Sequence, residues 1–402
     1  MEKARIIIVR KLKNVDVAGA IDGIYRALRG SREKGIEVIE VEQDWFKLHA
    51  DQGWNLEAVV KGIHTVIERL TSVEGYRVNE LFKDLQGVTT GSNELLVFDN
   101  NKWLELERKY GLSKSGLVYD CIAGEDIKPW SVTIRRKMLL PYREGKDPKS
   151  DESIWIPAFK IEKGDALDFE SKIAPDEEIG EDVVVRLNKR IARGIIQPEL
   201  AGVARYLVDN YDKLRNRIYE GKRIEEYAGA WYGFHRPRSP LIIKAPNIVS
   251  PRIVKEPSFA LNESRAVPLD NVIVLIPTEN IKYLRKDMED VLGKEVSLRD
   301  VLLFVLSILN SKVSYIILRT KATKVRGGYY TIDERYLSSI IIPKPKALDR
   351  ETVVKIVELA RAIVDQKGPD IWKKISEINE IIINTYSKLL NVDVKDVVER
   401  TP

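Results

Sequence analysis

The sequence predicts an α+β chain, with short strands in mixed or antiparallel sheets, separate helical segments, and a small α/β piece at its N-terminal end. Three observations support this class. Short apolar runs bounded by turn residues dominate 81–196 and 231–277, helical periodicity is confined to separate blocks, and no strand opens into the glycine-rich turn of a doubly wound nucleotide fold. Across 402 residues, 44% hydrophobic content is ample for a buried core and excludes global disorder. We divide the chain into an α/β piece over 1–78, a central domain over 79–345, and a helical C-terminal segment over 346–402.

In order, Arg5–Val9 reads as a buried strand, Val17–Leu28 as a helix, Ile36–Val41 as a second strand, and Leu56–Leu70 as an amphipathic helix. Leu81 to Ile196 is strand-rich, with turns at Gly87, Gly91, Asn100-Asn101, Gly124 and Gly145–Pro148. Lys163–Asp182 is acidic and polar, as in an exposed excursion. From Pro198 to Glu226, residues Leu200, Val203, Leu207, Tyr211, Leu214 and Ile218 keep helical spacing, and Pro198 suits a helix start. Prolines then recur between Trp231 and Pro277 among short strand-like runs. Val301–Leu309 reads as helix, Ser314–Arg319 as strand, and Ile340–Ile342 as a strand stopped by Pro343. The tail holds two amphipathic helices, Arg350–Asp365 and Ile371–Leu389.

Composition narrows the chemistry. One cysteine, Cys121, excludes a disulfide framework and a cysteine zinc cluster, and three scattered histidines (His49, His64, His235) offer little to a metal. The charged start, Met1 to Arg5, has no signal-peptide character, and Val301–Leu318 is interrupted by Asn310-Ser311-Lys312, so the expected setting is cytoplasmic with no membrane partner. Abundant Lys, Glu, Ile and Val resemble the composition of proteins from heat-loving organisms. No phosphate loop, dinucleotide fingerprint, H-E-x-x-H or nucleophile elbow occurs. Asp165, Asp168 and Glu170-Ser171-Lys172 have the letters of a metal-dependent nuclease, but their polar surroundings favour solvated charge.

The positive signal is local basicity on a chain of net charge +5. One stretch holds Arg135, Arg136, Lys137, Arg143, Lys146 and Lys149. A second joins Trp231, Tyr232, Phe234 and His235 to Arg236, Arg238, Lys244, Arg252 and Lys255. A third contains Lys312, Arg319, Lys321, Lys324, Arg326, Arg335, Lys344 and Lys346, with Gly327-Gly328 and Tyr329-Tyr330 inside it. Such clusters suit phosphate contacts with counterion release, and arginine can also read guanine edges. Against this stands an ordinary charged surface neutralised by acids from elsewhere in the fold. His235 could touch phosphate or simply pack; Cys121 reads as a buried structural thiol, and Trp45, Trp54, Trp103 and Trp155 as core.

The order of segments resembles a known family. Leu85–Asn93 followed by Leu96–Asp99, Ala123–Trp130, Tyr206-Leu207 with Lys213–Arg217, Trp231-Tyr232, Pro246–Val249, Leu309–Lys312, and Leu337 with Ile341–Pro343 as a closing strand are similar to the TaqI-like target-recognition (specificity) domain of adenine-specific DNA N6-methyltransferases and type IIG restriction-modification enzymes. Asp44-Trp45 with Gly53–Leu56 resembles that family's interdomain link, Ile378–Tyr386 its C-terminal helix, and Arg5–Val41 the last strands of its methyltransferase domain. The resemblance implies methyl transfer from S-adenosylmethionine to adenine. The family's glycine-rich cofactor motif and [N/D]-P-P-[Y/F] tetrapeptide have no counterpart here, and no Pro-Pro occurs anywhere in the chain. The expectation is therefore a sequence-specific DNA-binding target-recognition subunit of a restriction-modification system. It would hold no cofactor of its own, and a separate methyltransferase catalytic subunit would carry S-adenosylmethionine. Expected contacts to double-stranded DNA are Arg135, Arg136, Lys137, Arg143, Arg236, Arg238, Lys244, Arg319, Lys321, Lys324, Arg326 and Tyr329. Rival expectations are a complete DNA-modifying enzyme with a divergent active site, and a non-catalytic interaction protein that kept the fold.

Overall fold

A computed structural model of the chain describes residues 3–9, 17–30, 36–42, 64–158, 197–224, 228, 230–366 and 370–400. His49, the Asp44–Leu56 link, the 56–63 part of the second helix, and the 163–182 excursion with its Asp165, Asp168 and Glu170-Ser171-Lys172 lie outside these residues. The chain forms two units, Met1–Arg69 with Glu399–Pro402, and Leu70–Val398. In the first, strands Lys3–Val9 and Ile36–Glu42 pair antiparallel from Lys3↔Glu42 to Val9↔Ile36, with helix Val17–Leu28 between them in sequence.

The larger unit is α+β. Its antiparallel sheet runs in the order Ala260–Asn262, Asn247–Pro251, Val272–Pro277, Phe82–Gln86. The central strand is buried from Val272 to Ile276, which is why it reads as an unbroken apolar run. A second sheet, in the order Val267–Pro268, Val118–Ile122, Arg136–Leu139, Val97–Asp99, is mixed because only its first pair is parallel. Helix Ala201–Asp209 contributes Val203, Tyr206 and Leu207 to a core shared with Phe98, Cys121 and Met138 of that sheet. Cys121 is fully buried there, and burial pushes its thiol well above the usual range, as suits a structural residue. Trp155 is buried in the same core and Trp103 packs against it.

Helix Leu298–Leu309 is buried on every side from Val301 onward and packs on Arg350–Val364, which in turn packs on Ile371–Leu390. No single helix among the described residues is long and apolar enough to cross a membrane. Four departures from the sequence reading have identifiable causes. Ser314–Arg319 is not a strand but lies within helix Lys312–Lys321, because the Ser311 hydroxyl caps the amide of Ser314 and restarts the helix after a bend of 60°. Ile218 leaves the helical run, which ends at Arg215; it is 67% exposed on a hairpin whose turn residues Glu220 and Gly221 both have positive φ. Asn100-Asn101 opens helix Asn100–Tyr110 instead of a turn, since the Asp99 carboxylate accepts from the Lys102 amide and Gly111 closes the other end at φ 64°. Leu337 belongs to helix Glu334–Ser339, ahead of the closing strand Ile341–Pro343. A third tail helix, Val394–Arg400, was not evident from periodicity.

Candidate nucleic-acid interface

Several segments that carry the family resemblance meet at one buried arginine. The Arg217 guanidinium donates to the carbonyls of Leu214 at 2.7 Å, Thr90 at 2.6 Å, Gly233 at 2.8 Å and Trp231 at 3.2 Å. It thus ties Thr90–Asn93, Lys213–Arg217 and Trp231–Gly233 into one joint. Beside it, His235 packs between the Tyr219 ring, 4.8 Å away, and Gly91, where a Cβ would fall 2.5 Å from the imidazole. Burial, and then the nearby Arg217, hold the His235 pKa below its ordinary value, so the ring is neutral at pH 7 and acts as packing. The Asn310-Ser311-Lys312 segment is also a joint. The Asn310 side chain brackets both backbone groups of Phe259 at 2.9 Å, and Asn379 accepts from the Lys312 amide.

The basic residues divide by what they touch. Arg136 pairs with buried Asp126 at 2.8 Å and with Glu125 at 3.0 Å, while Lys137 pairs with Asp120 at 2.7 Å. Glu125 is held below the usual carboxylate range by a backbone hydrogen bond and by Arg136, against the opposing effect of burial. Arg135 is exposed nearby, and Arg143 donates to Gln197. In the second cluster Arg238, at φ 62°, donates to the Gln86 side chain and the Gly87 carbonyl. Burial, then repulsion from Arg236 and Arg252, hold its pKa below the ordinary value. Arg236 lies over the Tyr219 ring and within 3.4 Å of Glu220, and Lys244 is exposed.

The third cluster builds the most exposed feature. Strands Ile253–Val254, Tyr329–Thr331 and Thr323–Val325 form an antiparallel sheet, and Arg326-Gly327-Gly328 is the tip of its hairpin. Both glycines have positive φ, 80° and 76°, a conformation side chains resist and one that keeps the tip narrow. Lys324 and Arg326 are exposed, and Arg326 meets no carboxylate among the described residues. Arg319 and Lys321 occupy the last turn of the preceding helix, where they complement its dipole, with Arg319 over the Tyr315 ring. Lys255 sits 5.0 Å from the Tyr329 ring centre.

Next to this hairpin lies an open cleft of about 740 Å³, lined by Tyr329, Arg252, Lys255, Lys128 and Asn271 and by the acids Glu125, Glu256 and Asp270, with Gln86 joining it to Arg238. Lys128, Asn271 and Gln86 were not singled out from sequence, since they come from three distant segments that only the sheets bring together. Among the described residues no group of three or more His, Cys, Asp or Glu is placed to hold a metal ion. Around this concave surface three cations meet three carboxylates, with the Tyr329 ring and the amides of Asn271 and Gln86 between them, so the excess of positive charge comes from Lys324 and Arg326 of the hairpin beside it.

No protein-family model matches the sequence, and no curated protein matches it. Among solved structures, the chain is similar to the type IIG restriction endonuclease BpuSI, with a TM-score of 0.42, 14% identity, and coverage of 96% of this chain but 40% of that one. It is also similar to the type IIL restriction-modification enzyme MmeI, solved in complex with DNA, with a TM-score of 0.38, 8% identity, and coverage of 82% of this chain and 36% of that one. The chain thus spans well under half the length of either enzyme.

Proposed function

We propose that the chain is the sequence-specific DNA-binding, target-recognition part of an adenine-specific restriction-modification system, and that it works with a catalytic partner that brings S-adenosylmethionine. The observation that carries this reading is the exposed hairpin, Lys324 to Tyr329, standing beside Arg252, Lys255 and Lys128 at the cleft. On a chain of net charge only +5, cations concentrated at a narrow protrusion beside a concave surface favour a phosphate backbone as ligand. Arg136, Lys137 and Arg238 are held in place by their bonds to Asp126, Asp120 and Gln86. Arg135, Arg143, Arg236, Lys244, Arg319 and Lys321 extend the basic surface toward flanking phosphates.

The test is titration of the purified chain onto duplex DNA at 50 and 200 mM salt, with and without labelled S-adenosylmethionine. About six phosphate contacts would lower affinity roughly 10³-fold between those salts. Binding that is weak and indifferent to salt would sink the reading. Labelled cofactor retained by the chain alone would replace it with that of a complete enzyme.

A further inference from the structure

The hairpin sheet exposes more than charge. Its pairing places Val254 and Tyr330, 4% and 8% exposed, on the inner face. On the other face Ile253 aligns with Thr331 and Thr323, and Tyr329 with Val325. Ile253, Val325 and Tyr329 are 51%, 39% and 38% exposed, so three large apolar side chains share one outward face. Apolar side chains gathered on one exposed face beside cations suit a binding surface. Its rim says what kind: Arg252 and Lys255 flank the Ile253 strand, Arg326 follows Val325 at the tip, and Lys255 lies against Tyr329, while Lys324, paired with Tyr330, belongs to the opposite face. The neighbouring acids are Glu256, next to Lys255, and Asp333, which accepts from the Thr323 hydroxyl at 2.8 Å.

A cationic rim around an apolar centre complements a ligand that is anionic at its edges and apolar at its middle. The major groove of duplex DNA has this arrangement. Phosphates line both sides, the groove is wide enough for a two-stranded β-ribbon, and the apolar group on its floor is the C5 methyl of thymine. Thr323–Val325 and Tyr329–Thr331, joined through Arg326-Gly327-Gly328, form such a two-stranded ribbon with the Ile253 strand as a third strand along one edge, and Arg326 at the tip is placed for a base edge or a phosphate.

Resting on the DNA-binding reading above, we infer that the Ile253, Val325 and Tyr329 face reads pyrimidine C5 methyl groups in the major groove. Thymine is then part of the recognised sequence, beside the position that Arg326 contacts. The inference concerns how bases are discriminated, so it can fail while DNA binding stands.

The experiment enriches bound duplexes from a randomised pool and then remakes the enriched duplex with deoxyuridine in place of each thymidine in turn. Burying one methyl predicts about a fourfold loss of affinity at each thymine read this way. Ile253→Ser and Val325→Ser, both at exposed positions, are expected to bring the thymidine-to-deoxyuridine ratio close to one, whereas Arg326→Ala weakens both duplexes alike. The deoxyuridine arm alters the DNA alone, so it does not depend on the variants folding. A pool that never enriches, or an enriched duplex indifferent to every substitution, overturns the inference and leaves salt-sensitive DNA binding intact. Complete absence of salt-sensitive binding overturns both.

Discussion

Replacing Arg217 by Met keeps most of the side-chain length and removes the five donors of the guanidinium. Four hydrogen bonds, at 2.6 to 3.2 Å, then disappear from a residue that is 8% exposed. Bonds to a charged donor contribute about 1.5–3 kcal/mol each, but the four share one group and are not additive. A buried carbonyl left without its donor costs about 1–3 kcal/mol taken singly, and because one group serves all four the expected total is about 3–5 kcal/mol. For a unit of this size that corresponds to a Tm lower by roughly 4–8 °C. Differential scanning calorimetry of the parent and of Arg217→Met measures it directly. A variant within about 1 kcal/mol of the parent would show that Arg217 is not the joint its contacts describe.

Other consequences are separable by assay. Arg326→Ala and Lys324→Ala are expected to weaken DNA binding roughly tenfold each and to lower the salt slope by about one; unchanged affinity of both at low salt would remove the hairpin from the interface. Arg136→Gln should do the reverse, costing about 3 kcal/mol of stability by stranding buried Asp126 while leaving the salt slope alone. His235 has a folded pKa below its ordinary 6.5, so the unfolded chain binds the proton more readily. Its contribution is complete above about pH 6.5 and is lost as pH falls toward the folded value. Melting at pH 7.5 and 5.5 should therefore show a smaller acid-induced drop in His235→Phe than in the parent. Asn310→Ala removes both bonds to Phe259, and chemical denaturation should register a loss of about 1–3 kcal/mol.

Local pattern carried much of the architecture. The helices Val17–Leu28, Arg350–Val364 and Ile371–Leu390 were legible because apolar residues at helical spacing must share one face, whatever they pack against. Val272–Pro277 announced itself as a buried strand by its unbroken apolar run. Where local signals competed, pattern misled. The β-branched residues after Ser314 suit a strand, but a capping hydroxyl at Ser311 and packing against neighbouring helices made them helical.

The basic stretches were visible as composition, because charge can be counted along a chain. What each cation does was not, since its partner comes from another part of the sheet. Arg136 is bound to Asp126 and Lys137 to Asp120, while Arg326, equally basic in sequence, stands at an exposed tip. The outward face of Ile253, Val325 and Tyr329 had no sequence signature, because it depends on pairing a strand near residue 253 with a hairpin more than seventy residues later. Sequence by itself thus determined the α+β class, the helical blocks and the presence of concentrated positive charge, all local properties. Tertiary structure decided which charges are neutralised and which apolar side chains face water, because both depend on register and packing between distant segments.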